Sequence, residues 1–313
     1  MKVNYETKVQ VVKTLLGRRK IFDGTDSRFA KTWGLPGSLW STLKTAYNSA
    51  DGLNGKLKDT KWMQLARALG VVGSARKWNT VKTEVFQTIE EEVLFCKAHS
   101  KSRIFVDDCA IGKTYTAKYL AATLPNAFYV DCSQCKTHPQ FLRALALAIG
   151  VDHKGVLQDV ADGIRFCLRS LEQPIVILDE AGDLNAAAFL DLKSLWNATE
   201  GVCGWYMMGA DGLRAKIDRG YNNKRLGYAE LFSRFSESYS SVVPSGREAR
   251  KDFYRTLITQ VISANMTEGQ EAELEGIVKR CLVDDSMGRL GGLRRAESLL
   301  ILHSNTVETE VEA

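Results

Sequence analysis

An α/β fold, with a parallel sheet covered on both faces and helical units at either end, is what the sequence predicts. Three observations carry it. Four short apolar runs, "RIFV", "AFYVDC", "PIVILDE" and "GWYMMGA", read as strands. Segments of helical period separate them, and strands alternating with helices build a parallel sheet. Outside that stretch the chain carries helical patterning only.

The elements follow in order. Residues 1–73 form a small all-helical unit: "YETKVQVVKTLLGRR" has apolar residues at helical spacing, and "DSRFAKTWGL" opens on capping residues and closes at Gly34. "LWSTLKTAY" follows "PGS", and "DTKWMQLARALGV" follows a polar loop. Residues 74–82, "SARKWNTVK", read as a linker. The α/β unit spans 83–244 and begins with a long helix, "TEVFQTIEEEVLFCKAHS". A helical lid unit covers 245–303, and the acidic end, 304–313, reads as a frayed tail.

Composition is that of a globular chain of 313 residues, 25% charged, which is long enough for two or three domains. No apolar run approaches the roughly 18–20 residues that span a bilayer. The first ten residues lack the apolar core of a secretory signal. Seven cysteines form no small-domain framework and suit a reducing compartment, so a cytoplasmic protein is expected. The net charge of +5 is unevenly shared: residues 1–82 hold 16 Lys/Arg against 5 Asp/Glu, and 83–313 hold 26 against 32. A front of +11 on a body of −6 points to a polyanionic partner for the front.

The chemistry is concentrated in "DDCAIGKTYTAKYL". A strand, a sharp loop and a helix starting at Gly112-Lys113-Thr114 form a phosphate cradle, with backbone N–H groups and a helix N-terminus around the anion. Lys113 is placed to reach phosphate and the Thr114 hydroxyl to ligate magnesium. Asp108, Cys109, Ala110, Ile111, Gly112 and Tyr115 complete the candidate nucleotide contacts. The second half of the site is "IVILDEAGDL", an apolar strand ending in Asp179-Glu180. A buried carboxylate needs a partner, and magnesium is the expected one for Asp179, held through water. Glu180 is the candidate to orient or deprotonate an attacking water. ATP with magnesium is the cofactor pair this implies.

Asp107 and Ala110 stand where the pattern GxxxxGK(S/T) and its relatives have glycine. Glycine allows positive φ and close backbone approach, and Asp107 is expected to add negative charge near a polyanion, so slow hydrolysis is expected. "CSQCKTH" offers only Cys132, Cys135 and His138, short of the four ligands of structural zinc, and reads as a loop.

The arrangement resembles the AAA+ ATPases. The resemblance implies that Arg234, in "ELFSRF", is an arginine finger completing a neighbouring subunit's site. It implies that Arg294, in "GGLRRAESLL", is a sensor-2 residue on the lid. The sensor-1 position falls on Ala210, with Asp211 beside it.

"RFAKTWGLPGSLWSTLK" resembles a helix-turn-helix. Small residues at Ala30 and Gly34 let two helices cross closely, Trp40 and Leu43 point inward, and Ser38, Ser41, Thr42 and Lys44 face a major groove. Lys136 is the first candidate for a further phosphate contact. Arg219 and Lys224, in "RAKIDRGYNNKR", come next; that segment reads as a solvated hairpin or a DNA-facing insertion. A helix-turn-helix followed by an AAA+ module is similar to the transposition regulators of the MuB, TnsC and IstB type. This similarity implies an ATP-dependent protein that binds double-stranded DNA with little sequence preference. It would assemble as a filament or ring of copies, recruit and activate a transposase, and fall apart on hydrolysis. Two other readings stay open: a helix-turn-helix transcriptional regulator with an AAA+ control module, and a replication initiator or helicase loader.

Overall fold

The computed structural model describes residues 3–71, 78–266, 271–283 and 290–311, with side chains to residue 302. The expected boundary between the first helical unit and the linker, at residues 73–74, lies outside the described residues. Four helices open the chain: α1 (Tyr5–Ile21), α2 (Asp26–Thr32), α3 (Gly37–Ala46) and α4 (Asp59–Ala68). Their apolar faces meet in one core around Leu15, Phe29, Trp40 and Trp62. Ala30 is fully buried where α2 meets α3, and Trp40 and Leu43 point inward as expected. Gly34 takes φ +61°, which lets Leu35 N–H return to the Ala30 carbonyl at 2.9 Å and close the turn.

This unit rests on the α/β body. The Arg28 Nε donates to the Ile149 carbonyl (2.9 Å). Gly150 sits so close that a Cβ there would lie 2.5 Å from the Arg28 carbonyl oxygen. Any larger residue would push the two units apart.

The body begins with α5 (Glu84–His99), capped by the Thr83 side chain. Five parallel strands follow: β1 (Ser102–Val106), β2 (Ala127–Asp131), β3 (Ile175–Asp179), β4 (Gly204–Gly209) and β5 (Tyr239–Ser240). Their order is β2-β3-β4-β1-β5. Alternation along each strand feeds two cores. Val106, Val130, Leu178 and Trp205 face one side, under α7 (His138–Ile149), α8 (Leu157–Arg169) and α9 (Ala186–Ala198). Phe105, Ile177, Tyr206 and Met208 face the other, under α5, α6 (Lys113–Thr123) and the lid helices. Both faces are thereby covered, as a parallel sheet requires.

Three local expectations are corrected. β5 was not foreseen, because two half-buried residues carry no periodic signal. It is held by its pairing with β1 and by Ser240 Oγ, whose single hydrogen lies between Glu92 Oε2 (2.8 Å) and the Ile104 carbonyl (3.1 Å). "RAKIDRGYNNKR" is no hairpin: most of it belongs to α10 (Asp211–Asn222), and the rest is the turn before α11 (Tyr228–Arg234). The tail is no frayed end in its backbone, since α14 (Leu293–Val311) runs through most of it. The lid also contains α12 (Arg247–Ser263) and α13 (Leu274–Cys281). Among the described residues no helix is long and apolar enough to cross a membrane.

Candidate functional site

β1 ends at Val106, and the chain turns through residues 107–112 into α6. Gly112 takes φ +106° and is the N-cap of α6 without any side-chain cap. The N–H groups of the first helical turn therefore meet no capping side chain, and a bound anion can take them. Ala110 adopts φ +60°, a left-handed conformation that costs a non-glycine residue roughly 1–2 kcal/mol. The lid holds it there. Leu293 N–H donates to the Ala110 carbonyl (2.8 Å), and a Cβ on Gly292 would come within 2.6 Å of that oxygen. Glycine at 292 is what allows the lid to sit on the loop.

Lys113 is buried. Its Nζ donates to the carbonyls of Asp107 (2.8 Å) and Asp108. Burial lowers its pKa, which nearby acids partly offset.

Asp107 bears electrostatically on Lys113, and its carboxylate is held by backbone amides. Its Oδ2 accepts from Val242 N (2.6 Å) and Val243 N (3.0 Å), and its Oδ1 from Asp108 N (2.7 Å). Three N–H donors satisfy the carboxylate, which is absent from the cavity wall. Asp108 likewise turns away from the cavity: its Oδ2 accepts from Arg250 and from Tyr254 OH (2.8 Å), both on α12.

The cavity between loop and lid has a volume of about 340 Å³, within the range of small-molecule sites, about 300–1,000 Å³. Its lining brings Lys113, Thr114, Glu180 and Arg294 together with the loop residues Cys109, Ala110, Ile111, Gly112 and Tyr115. Apolar side chains, Trp78, Val81, Phe86, Val261 and Leu293, complete it beside the polar Asn79, Thr83 and Glu297.

The part of the lining from Trp78, Asn79 and Val81 was missed in the sequence, where 74–82 reads as a polar linker. Residues 78–83 instead form a strap tied to the lid. Trp78 Nε1 donates to Glu297 Oε1 (3.1 Å), Asn79 N to Asn265 Oδ1 (2.6 Å), and Asn79 Nδ2 to the Ala264 carbonyl (2.7 Å). Thr80 Oγ1 and Tyr115 OH lie 2.5 Å apart. The available signal was Trp78 itself, a large ring in an otherwise polar string.

Asp179 is 1% exposed and has partners within the protein besides the magnesium expected of it. Tyr129 OH donates to its Oδ2 (3.0 Å) and Glu180 N to its Oδ1 (3.0 Å). A carboxylate offers about four lone-pair sites, so capacity for a water-bridged cation remains. Glu180 leaves β3 at φ +50°, lines the cavity, and has its pKa raised by burial and by the charge of Asp179. Ala210 follows the end of β4, the strand between β1 and β3, and contributes only a methyl group; Asp211 begins α10 and is exposed.

Arg234 lies elsewhere. Its Nε donates to Asn197 Oδ1 (2.7 Å), its Nη1 to the Glu230 carbonyl (2.7 Å), and its guanidinium sits 5.2 Å from the Trp196 ring centroid. Trp196 in turn donates to Ser102, the first residue of β1 (2.8 Å). Lys113 follows the opposite end of that strand. The five residues of β1 span on the order of 15 Å, so one chain cannot bring both groups to one phosphate without rearrangement.

The basic candidates are dispersed. Lys136 pairs with Asp183 (2.8 Å), and Lys44 with Asp26, which also binds Arg19. Ser38, Ser41, Arg219 and Lys224 are exposed, while Thr42 is half-buried and donates to the Ser38 carbonyl. Cys132 and Cys135 are buried, and His138 pairs with Asp191.

A strand–loop–helix cradle with a buried lysine, facing acids from a second strand across one intervening strand, defines a P-loop nucleotide-binding domain. The family model described as an AAA domain matches residues 108–217, the segment from the loop to α10. An AAA domain is therefore present, which supports a nucleotide-dependent ATPase, and such domains generally bind ATP with magnesium. No curated protein matches the chain.

Proposed function

We propose that the chain is an ATP-dependent DNA-binding AAA+ ATPase that oligomerises on target DNA and there recruits and activates a transposase. The observation carrying the ATPase part is the meeting of Lys113, Thr114, Glu180 and Arg294 in the lining of one cavity that also holds apolar side chains such as Trp78 and Val81. Lys113 would exchange its two carbonyls for the β- and γ-phosphates. Thr114 and Asp179 would hold magnesium, which supplies charge neutralisation to the phosphates. Glu180 would orient the attacking water and accept its proton, and Arg294 would close over the phosphates from α14. The base would lie against Trp78 and Val81.

Oligomerisation is supported by the placement of Arg234, remote from its own cavity and packed on Trp196. Mixing Arg234→Ala with Lys113→Ala protein is expected to recover part of the ATPase rate, at interfaces where an intact finger meets an intact loop. With both variants folded, no recovery at any ratio would place the finger elsewhere, with Arg225 the next position to change.

DNA binding is supported by the +11 of residues 1–82, with Ser38, Ser41, Thr42 and Lys44 on α3 as the candidate groove face. Lys136, Arg219 and Lys224 are candidate contacts on the body. Binding of the full chain should require ATP, be insensitive to sequence, and weaken steeply with salt, as phosphate contacts dictate. Lys136→Ala should lower affinity about equally on unrelated duplexes. A sequence-specific, ATP-independent footprint would instead favour the transcriptional-regulator reading and sink the assembly on target DNA. Transposase recruitment is tested first by whether a transposase reading frame neighbours this one, and then by pull-down of its product with and without ATP; no such neighbour and no capture would sink it.

A further inference from the structure

We infer that Asp107 and Asp108 are positioning residues that fasten the phosphate loop to the helical lid and couple nucleotide binding to lid position. This rests on the nucleotide reading above and names its regulation. The GxxxxGK(S/T) pattern has glycine at position 107; this chain has two consecutive carboxylates there, both turned away from the cavity.

Asp107 grips the backbone of Val242 and Val243, in the stretch between β5 and α12. Asp108 grips Arg250 and Tyr254, which lie four residues apart and so on one face of α12. The backbone carbonyls of these same two aspartates hold the Lys113 ammonium. One dipeptide thus meets the phosphate-binding lysine through its carbonyls, and through its carboxylates both the lid helix α12 (Asp108) and the segment that leads into the lid (Asp107).

The consequence is mechanical. When a phosphate takes the Lys113 ammonium, both carbonyls lose a charge-assisted donor, and the peptide planes around Asp108 become free to turn. Their side chains turn with them. Asp107 is 8% exposed, and breaking its three N–H contacts would strand a buried charge, which is expensive. The lid segment is therefore drawn along rather than released. At the far side of the loop the Ala110–Leu293 hydrogen bond gives the lid a second hold, so loop and lid share two attachments. Burial and the bond to Asp108 raise the Tyr254 pKa, so its hydroxyl remains a donor.

The test is hydrogen exchange of α12 in the full chain, with and without magnesium–ADP, alongside titration with a fluorescent ADP analogue. The wild-type chain should bind and change its α12 exchange on binding. Asp108→Asn should weaken affinity about tenfold, the scale of one charge-assisted bond, and should erase the α12 response. Asp108→Glu should restore part of both. Asp108→Asn and Arg250→Gln should be non-additive in nucleotide affinity, which a merely structural contact would not produce. Should Asp108→Asn fail to fold, Tyr254→Phe removes one hydroxyl only and should give a smaller loss in the same direction. Normal affinity and a normal α12 response in folded Asp108→Asn or Tyr254→Phe would overturn the coupling. Absence of any binding by the wild-type chain would instead overturn the nucleotide reading. In that case unchanged α12 exchange in Asp108→Asn would remove the fastening as well.

Discussion

Lys113→Ala is expected to abolish magnesium–ATP binding, lowering affinity by at least about a hundredfold, the scale of losing charge-assisted bonds to a polyanion in a dry site. Lys113 is the buried cation of the loop and already lines the cavity. Its removal also leaves the Asp107 and Asp108 carbonyls without their donor, so the loop itself should lose order. Calorimetric titration measures the affinity, and a thermal melt separates lost binding from lost fold. A folded Lys113→Ala protein that still binds within tenfold of wild type would mean that the cradle is not the phosphate site.

Glu180→Gln is expected to separate binding from hydrolysis. Magnesium–ATP should bind with near wild-type affinity while turnover falls about 10²–10⁴-fold, the usual worth of a positioned general base. The direction of its pKa shift adds a pH signature. Burial and Asp179 hold the Glu180 carboxyl above the ordinary glutamate range, and only the ionised form accepts a proton. Without nucleotide or magnesium, the wild-type carboxyl should titrate in a window above that of a free glutamate, as followed by NMR, and that titration should vanish in the variant. For an acid with a raised folded pKa, the charged form opposes folding above the unfolded value. The neutral glutamine should therefore melt no lower than wild type at pH 7. An unchanged rate would move the base to another residue.

The sheet was legible because β1 to β4 are short apolar runs bounded by polar turns, and burial on both faces demands such runs. β5 was illegible because its stability comes from Glu92, nearly 150 residues away in sequence. Lys113, Thr114, Glu180 and Arg294 could be read from local motifs, and the structure brings them to one cavity. The role of Asp107 could not be read. The sequence shows an acid where glycine is the pattern, but the amides of Val242 and Val243 that satisfy it arrive only through tertiary packing. The same limit applies to Asp179, whose partner Tyr129 sits on the neighbouring strand. Lys44 shows the converse: a helix face looks basic in sequence, yet an acid from the adjacent helix occupies its charge.

The strap at residues 78–83 makes the pocket common property of two parts of the chain. The peptide arriving from the basic helical unit is one wall of the cavity, pinned to the lid by Trp78 and Asn79. A fragment begun at Thr83 as a minimal ATPase would lack that wall and open the cavity to water. Its failure to bind nucleotide would then say nothing about the helical unit as such. An occupant touching both Trp78 and Arg294 would act as a rivet between strap and lid, since residues of both line the cavity. The front of the molecule can thereby register what the pocket holds without any of its own helices touching the nucleotide.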